Sequence, residues 1–215
     1  METNSKLGGI GAFLLALYFI VFILLIVFIL PAQGFAIDQG SLYNPDEGLA
    51  FAAKSPMLRI FYLHYFLFVA GLAFVLPPIH KRLSTKFICC GRAAVVLGVM
   101  STLLMFINIT IGYLNLPLLV GLLTEYPLEA KATYMAITLA AGALVYGAFF
   151  TYGIWVWLTS YMALKAGEFP KVLNYLGLIL GLVSIFSFVF TPLSFVVIIL
   201  SIVWAAFLGV VLLRA

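Results

Sequence analysis

The chain has 215 residues and a formal net charge of +4; 66% of its residues are hydrophobic and only 8% are charged. Soluble domains are about half apolar and about a quarter charged, so this composition excludes a soluble globular protein. Repeated apolar runs of about 20 residues fit helices that cross a hydrocarbon core about 30 Å thick. We therefore predict one all-α domain over residues 1–215, a polytopic transmembrane helical bundle.

Six apolar runs predict six membrane spans. They cover about residues 7–30, 58–78, 88–114, 130–163, 171–190 and 193–213. The first run is longer than the apolar core of a signal peptide, which has about 7–15 residues, and no small-residue cleavage site follows it. We interpret it as a retained first span. The fourth run exceeds the thickness of a bilayer, so its helix should tilt or project into water.

The basic residues predict the orientation of these spans. With the N-terminus inside, eight of the 11 lysines and arginines lie on the cytoplasmic side and three lie outside. The cytoplasmic eight are Lys6, Lys81, Arg82, Lys86, Arg92, Lys165, Lys171 and Arg214, and the outer three are Lys54, Arg59 and Lys131. Because cytoplasmic loops are enriched in Lys and Arg, both termini should be cytoplasmic. The positive charge then reflects topology, and no nucleic-acid partner is expected.

The first outer loop contains the signals of a short helix. Asn44 can cap its start, and Pro45 suits the first helical position. Asp46 and Glu47 would complement the positive end of the helix dipole. We predict a helix at about 45–54 that lies on the outer surface of the membrane.

Two arginines lie at the ends of predicted spans. Arg59 begins the second span, where its side chain can reach the headgroup region and where Asp46 or Glu47 could pair with it. It is five positions from His64, about 140° around the helix, so the two side chains should belong to separate sites. Arg92 lies near the cytoplasmic end of the third span, where we expect it to extend towards the interface.

Small residues at four-residue spacing mark faces on which membrane helices approach closely. Such stripes occur in four of the six predicted spans. They are Gly8/Ala12/Ala16, Cys90/Ala94/Gly98/Thr102, Ala143/Gly147/Thr151 and Gly177/Gly181. One stripe would mean little, because Gly and Ala are common in membrane helices. Four together predict a compact bundle that packs through Gly98, Gly147, Gly177 and Gly181.

Five polar residues lie in the outer half of the predicted spans. They are His64, Asn108, Thr138, Ser184 and Ser187. If the helices that carry them face one another, these residues form one buried polar layer. That layer is either a hydrogen-bonded network that fixes the packing or a site for a ligand, a proton or a cofactor, because ionisable residues within spans are candidates for function.

His64 is the one histidine inside a predicted span, and this limits cofactor binding. A bis-histidine haem site needs two histidines at matched depth, whereas His80 belongs to a basic turn. A tetrapyrrole held by His64 alone stays open, and no other cofactor is indicated. The adjacent Cys89 and Cys90 are packing residues or an acylation site near the membrane surface. The sequence has no catalytic or metal-binding motif, and no predicted span contains Asp or Glu.

Two stretches resemble a known family. They are "SPMLRIFYL" before the second span and "GEFPKVLNYLGLILGLVSI" leading into the fifth, in which Phe-Pro-Lys-x-Leu-x-x-Leu-Gly-x-x-x-Gly (169–181) is the strongest match. They are similar to a prokaryotic family of small six-span integral membrane proteins that is catalogued as a domain of unknown function. The resemblance covers about residues 7–190. It implies the six-span fold and implies no activity, cofactor or catalytic residue.

These observations favour a non-enzymatic integral membrane protein, an accessory or structural subunit that contacts the lipid bilayer and other membrane subunits or a second copy of itself. One alternative is a small transporter or ligand-binding membrane protein that uses the outer polar layer. Another is a subunit that binds a haem- or chlorophyll-type pigment through His64. No helix interruption by paired Gly or Pro, as transporters often have, is visible near the middle of the spans.

Overall fold

The computed structural model describes residues 2–35, 44–187, 189–190 and 192–214, with side chains from residue 5 onwards. All regular elements in this part of the chain are helices, and it contains no β-strand. Its elements are α1 (Glu2–Ile23), a π-helical segment (Leu24–Ile29), α2 (Leu30–Ala32), α3 (Pro45–Lys54), α4 (Met57–Leu63), α5 (Phe66–Leu83), α6 (Ile88–Leu122), α7 (Pro127–Ala166), α8 (Lys171–Ser187) and α9 (Leu193–Leu213).

Five helical stretches of the described residues are long and apolar enough to cross a membrane. They are Ser5–Ala32, Met57–Leu83, Ile88–Leu122, Pro127–Ala166 and Leu193–Leu213. The fifth predicted span contains α8, an apolar helix of 17 residues, about 26 Å long at 1.5 Å per residue. The all-helical fold is thus as predicted, and five of the six predicted spans contain long apolar helices, which are compatible with a multi-pass membrane protein.

The helix α6 runs further than the predicted third span. It continues through Asn115 to Leu122 although Pro117 lies inside it. Leu116 and Leu119 are buried, so the apolar face of the helix continues past residue 114. The stabilisation from burying this face exceeds the cost of the hydrogen bond that Pro117 cannot donate. The helix α7 has 40 residues, about 60 Å, longer than a bilayer is thick, as expected for the fourth span.

Capping residues define the start of α3 and the end of α7. The side chain of Asn44 accepts a hydrogen bond from the backbone N–H of Asp46 (3.1 Å) at the start of α3, as predicted. After α7, Gly167 has φ +69°, and the N–H of Glu168 donates to the carbonyl of Ala163 (2.9 Å). This left-handed glycine termination turns the chain towards α8. Phe169 also has a positive φ, +58°.

The chain divides into two compact units. The first comprises Met1–Phe19, Leu67–Leu104 and Tyr146–Ala215, and the second comprises Ile20–Phe66 and Met105–Val145. In the first unit, α8 packs along α9.

Glycines bring helices of the first unit into backbone contact. A Cβ placed on Gly11 of α1 would lie 2.7 Å from the carbonyl oxygen of Gly71 in α5. A Cβ on Gly181 of α8 would lie 2.6 Å from the carbonyl oxygen of Gly153 in α7. Neither space can hold a methyl group, so only glycine permits these helix pairs to pack at this distance.

The four glycines that the sequence singled out all lie in the first unit. Gly98 lies against Leu76, and Gly177 against Ser160 and Trp204. Gly147 is less crowded, because a Cβ there would meet only Leu104 Cδ1 at 3.3 Å. Gly181 makes the tight contact with α7.

Polar contacts join the helix ends of the first unit. Ser5 Oγ donates to the carbonyl of Leu212 (2.7 Å) and accepts from Arg82 Nη2 (2.9 Å). Lys86 Nζ pairs with Glu168 Oε1 (3.2 Å). Asn174 Nδ2 donates to the carbonyl of Glu168 (2.9 Å). These contacts fix the turns between α5 and α6 and between α7 and α8.

In the second unit, α3 is held against α7. Asp46 forms an ion pair with Lys131 near the start of α7, and Gly48 lies against the ring of Tyr134. The ring of Phe51 stacks on Phe35, with centroids 4.6 Å apart. The predicted helix 45–54 is therefore present and anchored at both of its ends.

Candidate functional site

His64 lies where the helix of the second predicted span is interrupted. The helix α4 ends at Leu63 and α5 begins at Phe66, and His64 and Tyr65 form a turn between them. The N–H of Tyr65 donates to the carbonyl of Tyr62 (3.3 Å), a spacing of three residues in place of four. The local sequence LHY contains neither Gly nor Pro, so sequence reasoning missed this break.

The imidazole of His64 is buried and held in one orientation. Its Nδ1 lies in hydrogen-bonding contact with the carbonyl oxygen of Phe61. Because a carbonyl oxygen only accepts, Nδ1 carries the hydrogen, and in the neutral form of the ring Nε2 carries the lone pair. A histidine whose other nitrogen donates to a backbone carbonyl is oriented as metal-ligating histidines are. The same orientation suits acceptance of a proton or a hydrogen bond.

Aromatic rings surround this imidazole. The ring centroids of Phe22, Phe61 and Tyr65 lie 5.7, 5.1 and 4.3 Å from that of His64. Phe22 lies two residues before the π-helical segment Leu24–Ile29. Such π-helical turns are rare and often occur at functional sites. The second unit therefore contains two helix irregularities, the π-helical segment and the turn at His64 and Tyr65. Phe22, which lies close to the first of them, contacts His64 in the second.

Asn108 and Thr138 are buried in the same unit as His64. Asn108 lies in α6, and its Nδ2 is 3.9 Å from Met105 Sδ, a weak contact. Its Oδ1 is buried and has no hydrogen-bond partner among the described residues. A buried acceptor without a donor costs about 1–3 kcal/mol, so it calls for an explanation such as a bound group.

Ser184 and Ser187, which the sequence placed at the same depth, belong to the first unit. Ser184 is buried at the contact of α7 with α8, where a Cβ on Gly153 would lie 2.6 Å from Ser184 Cβ. Ser187 is half-buried, and its Oγ donates to the carbonyl of Ser184 (2.8 Å). The contact of Ser184 Cβ is a packing contact, whereas Ser184 Oγ, like Asn108 Oδ1, is buried without a hydrogen-bond partner among the described residues. The five predicted layer residues thus divide into three in one unit and two in the other.

Arg59 has a different partner from the one expected. Its guanidinium carbon lies 4.7 Å from the ring centroid of Tyr113, a cation–π contact. Asp46 pairs with Lys131 instead, and Glu47 accepts from Asn44 Nδ2 (3.0 Å). Arg59 and these carboxylates therefore form no ion pair in the described part of the chain. The carboxylates lie in the first turn of α3, beside the start of α7.

The remaining predicted residues lie on the surface of the first unit. Arg92 is exposed, and so are Cys89 and Cys90, which carry free thiols. Among the residues that the structure describes, no group of three or more His, Cys, Asp or Glu side chains could hold a metal ion. The candidate site is thus a buried imidazole among aromatic rings, in the same unit as a buried amide oxygen.

Comparison of the chain with protein-family models, with curated proteins and with solved structures found no match.

Proposed function

We propose that this chain is a non-enzymatic, multi-pass protein of the prokaryotic plasma membrane that serves as an accessory subunit of a larger membrane assembly. The observation that carries this proposal is the backbone contact at Gly11/Gly71 and Gly153/Gly181. Helices that pack at this distance form a rigid element, because a densely packed interior has low compressibility and transmits strain. A rigid helical element suits a structural role.

The proposal includes six spans with both termini in the cytoplasm. The short helix α8 packs along α9, which supports a sixth crossing next to the fifth. The excess of Lys and Arg on the proposed cytoplasmic side supports the orientation. A reporter fused after Arg214, or after Lys86, should give a cytoplasmic signal, and one inserted next to Lys131 should give an outer one.

The helix α3 is the proposed contact with a partner on the outer side. The ion pair with Lys131 holds it against α7, while the side chain of Asp46 stays 66% exposed. Glu47 is also exposed. A fixed helix with an acidic first turn can be recognised by a basic surface of another subunit.

The test is purification from native membranes in a mild detergent. The protein should comigrate with other subunits on native gels, and mass spectrometry should identify the same partners in repeated preparations. Glu47→Lys should weaken this association, whereas the matched control Glu125→Lys, which changes an exposed residue beyond the end of α6, should not. A stable, isolated monomer would contradict the proposal.

A second candidate function is ligand binding at His64. It is favoured by the interrupted helix and by the orientation of the imidazole, whose Nε2 carries the lone pair. The surrounding rings suit a flat apolar ligand, including a tetrapyrrole. The visible absorption spectrum of protein purified without added ligand tests the tetrapyrrole directly. A colourless preparation in which His64→Ala binds every tested ligand as the parent protein does would contradict this candidate.

A further inference from the structure

A groove of about 320 Å³ lies between α5 and α6 in the first unit. It is lined by Ala73, Leu76, Pro77, His80, Val95, Val99, Thr102 and Leu103. Only two of these residues have polar side chains. Thr102 directs its hydroxyl to its own helix, donating to the carbonyl of Gly98 (2.8 Å). The groove is thus almost wholly apolar, and His80 lies at one end of its α5 wall.

Two basic residues continue the walls of the groove at the end where His80 lies. Lys81 follows Ala73 and Pro77 in steps of four residues along α5, and Arg92 precedes Val95 by three residues on α6. Residues three and four apart share a helix face. Because α5 ends at Leu83 and α6 begins at Ile88, Lys81 and Arg92 both lie near the turn that joins these helices.

These two cations are available to a ligand. Lys81 and Arg92 are exposed, and within the described ranges neither forms an ion pair. Their basic neighbours are engaged within the protein: Arg82 with Ser5 and the ring of Phe169, and Lys86 with Glu168. Two positively charged side chains that form no ion pair within the described ranges therefore lie at one end of an apolar groove.

We propose that this groove binds an anionic phospholipid, with one acyl chain along Ala73, Pro77 and Val99 and the phosphate between Lys81 and Arg92. Charge complementarity selects this occupant, because the walls are apolar and the charge lies at one end only, as in a phospholipid. Basic pockets between membrane helices on the cytoplasmic side bind anionic headgroups in this way. The site requires that the chain lie in a membrane and does not depend on the proposed accessory role or on His64.

Native mass spectrometry of the full-length, delipidated protein measures the binding. The probes are phosphatidylglycerol and, for comparison, phosphatidylcholine with the same acyl chains. Each basic residue near an anionic headgroup contributes about fivefold in affinity, so Lys81→Gln with Arg92→Gln should weaken phosphatidylglycerol binding roughly 30-fold. The matched control, Lys165→Gln with Lys171→Gln, removes the same charge from α7 and α8 and should change binding less than twofold. Equal losses in both double variants would overturn the proposal.

A second variant tests the acyl chain. Val99→Trp fills the groove on its exposed side, where Val99 is 42% accessible, and should reduce phosphatidylglycerol retention at least tenfold without changing the helical circular dichroism. Soluble glycerol phosphate, which lacks the chains, should not compete. Undiminished lipid retention by Val99→Trp would overturn the proposal. So would disulfide-linked dimers of Val99→Cys, in a background without Cys89 and Cys90, because a second copy would then occupy the groove.

Discussion

Gly181→Ala should destabilise the protein by about 1–3 kcal/mol, the usual cost of forcing an added methyl group into a packed interior. The new Cβ would lie 2.6 Å from the carbonyl oxygen of Gly153, 2.6 Å from Trp157 Cβ and 2.7 Å from Trp157 N. Two of these atoms belong to the backbone of α7, so no side-chain rotation relieves the overlap. To restore ordinary van der Waals contact, α8 has to move away by about 0.8 Å. That movement also opens the packing around Ser184.

The assay is the free energy of unfolding in mixed micelles, from titration with a denaturing detergent. Gly121→Ala is the control, because a Cβ there meets no atom within 4 Å. Alanine is the better helix former by about 0.5–1 kcal/mol, so this variant should be neutral or more stable. Gly147→Ala, with one contact at 3.3 Å to a flexible leucine, should fall between the two. The reasoning is refuted if Gly181→Ala and Gly121→Ala have the same free energy of unfolding.

Three further substitutions test individual contacts, all by the free energy of unfolding. Asn108→Leu removes a buried amide oxygen without a described partner, so it should stabilise the ligand-free protein by about 1 kcal/mol; a loss of that size would show that the amide has a structural partner. Ser5→Ala removes the bonds to Leu212 and Arg82 and should cost about 1–2 kcal/mol, whereas no change would mean that water replaces them. Asp46→Asn and Lys131→Gln should show a coupling below about 1 kcal/mol that salt abolishes, because the pair is exposed; a larger coupling at high salt would contradict this.

The helix α3 shows which features of the fold follow from sequence. Its start depends on Asn44, Pro45 and Asp46, and these residues act within one turn of helix. The long apolar helices also follow from local sequence, because the composition and length of each apolar run predict them. Hence both could be predicted without knowing which helices are neighbours.

Features that depend on neighbours could not be predicted in this way. The sequence around the helix break at His64 contains no Gly or Pro that would predict it. The imidazole of His64 packs against Phe61 and against Phe22, which belongs to another helix. Gly181 was recognised by its spacing from Gly177, but its partner Gly153 belongs to no stripe that the sequence reveals. The common depth of the five polar residues stays a prediction, and their division between two units depends on which helices pack together.

The hydrogen bond from Ser5 to Leu212 joins residues 207 positions apart and sets the order in which the first unit can be completed. The helix α1 is synthesised before its partner α9, with the other helices of the unit between them. At about 5–20 residues per second, a ribosome needs roughly 10–40 s to cover that distance. During this time the surface of α1 that contains Ser5 and Gly9 is open to lipid, to insertion factors and to quality-control proteases. A chain truncated before α9 would leave the surface of α1 around Ser5 and Gly9 without its partner helix.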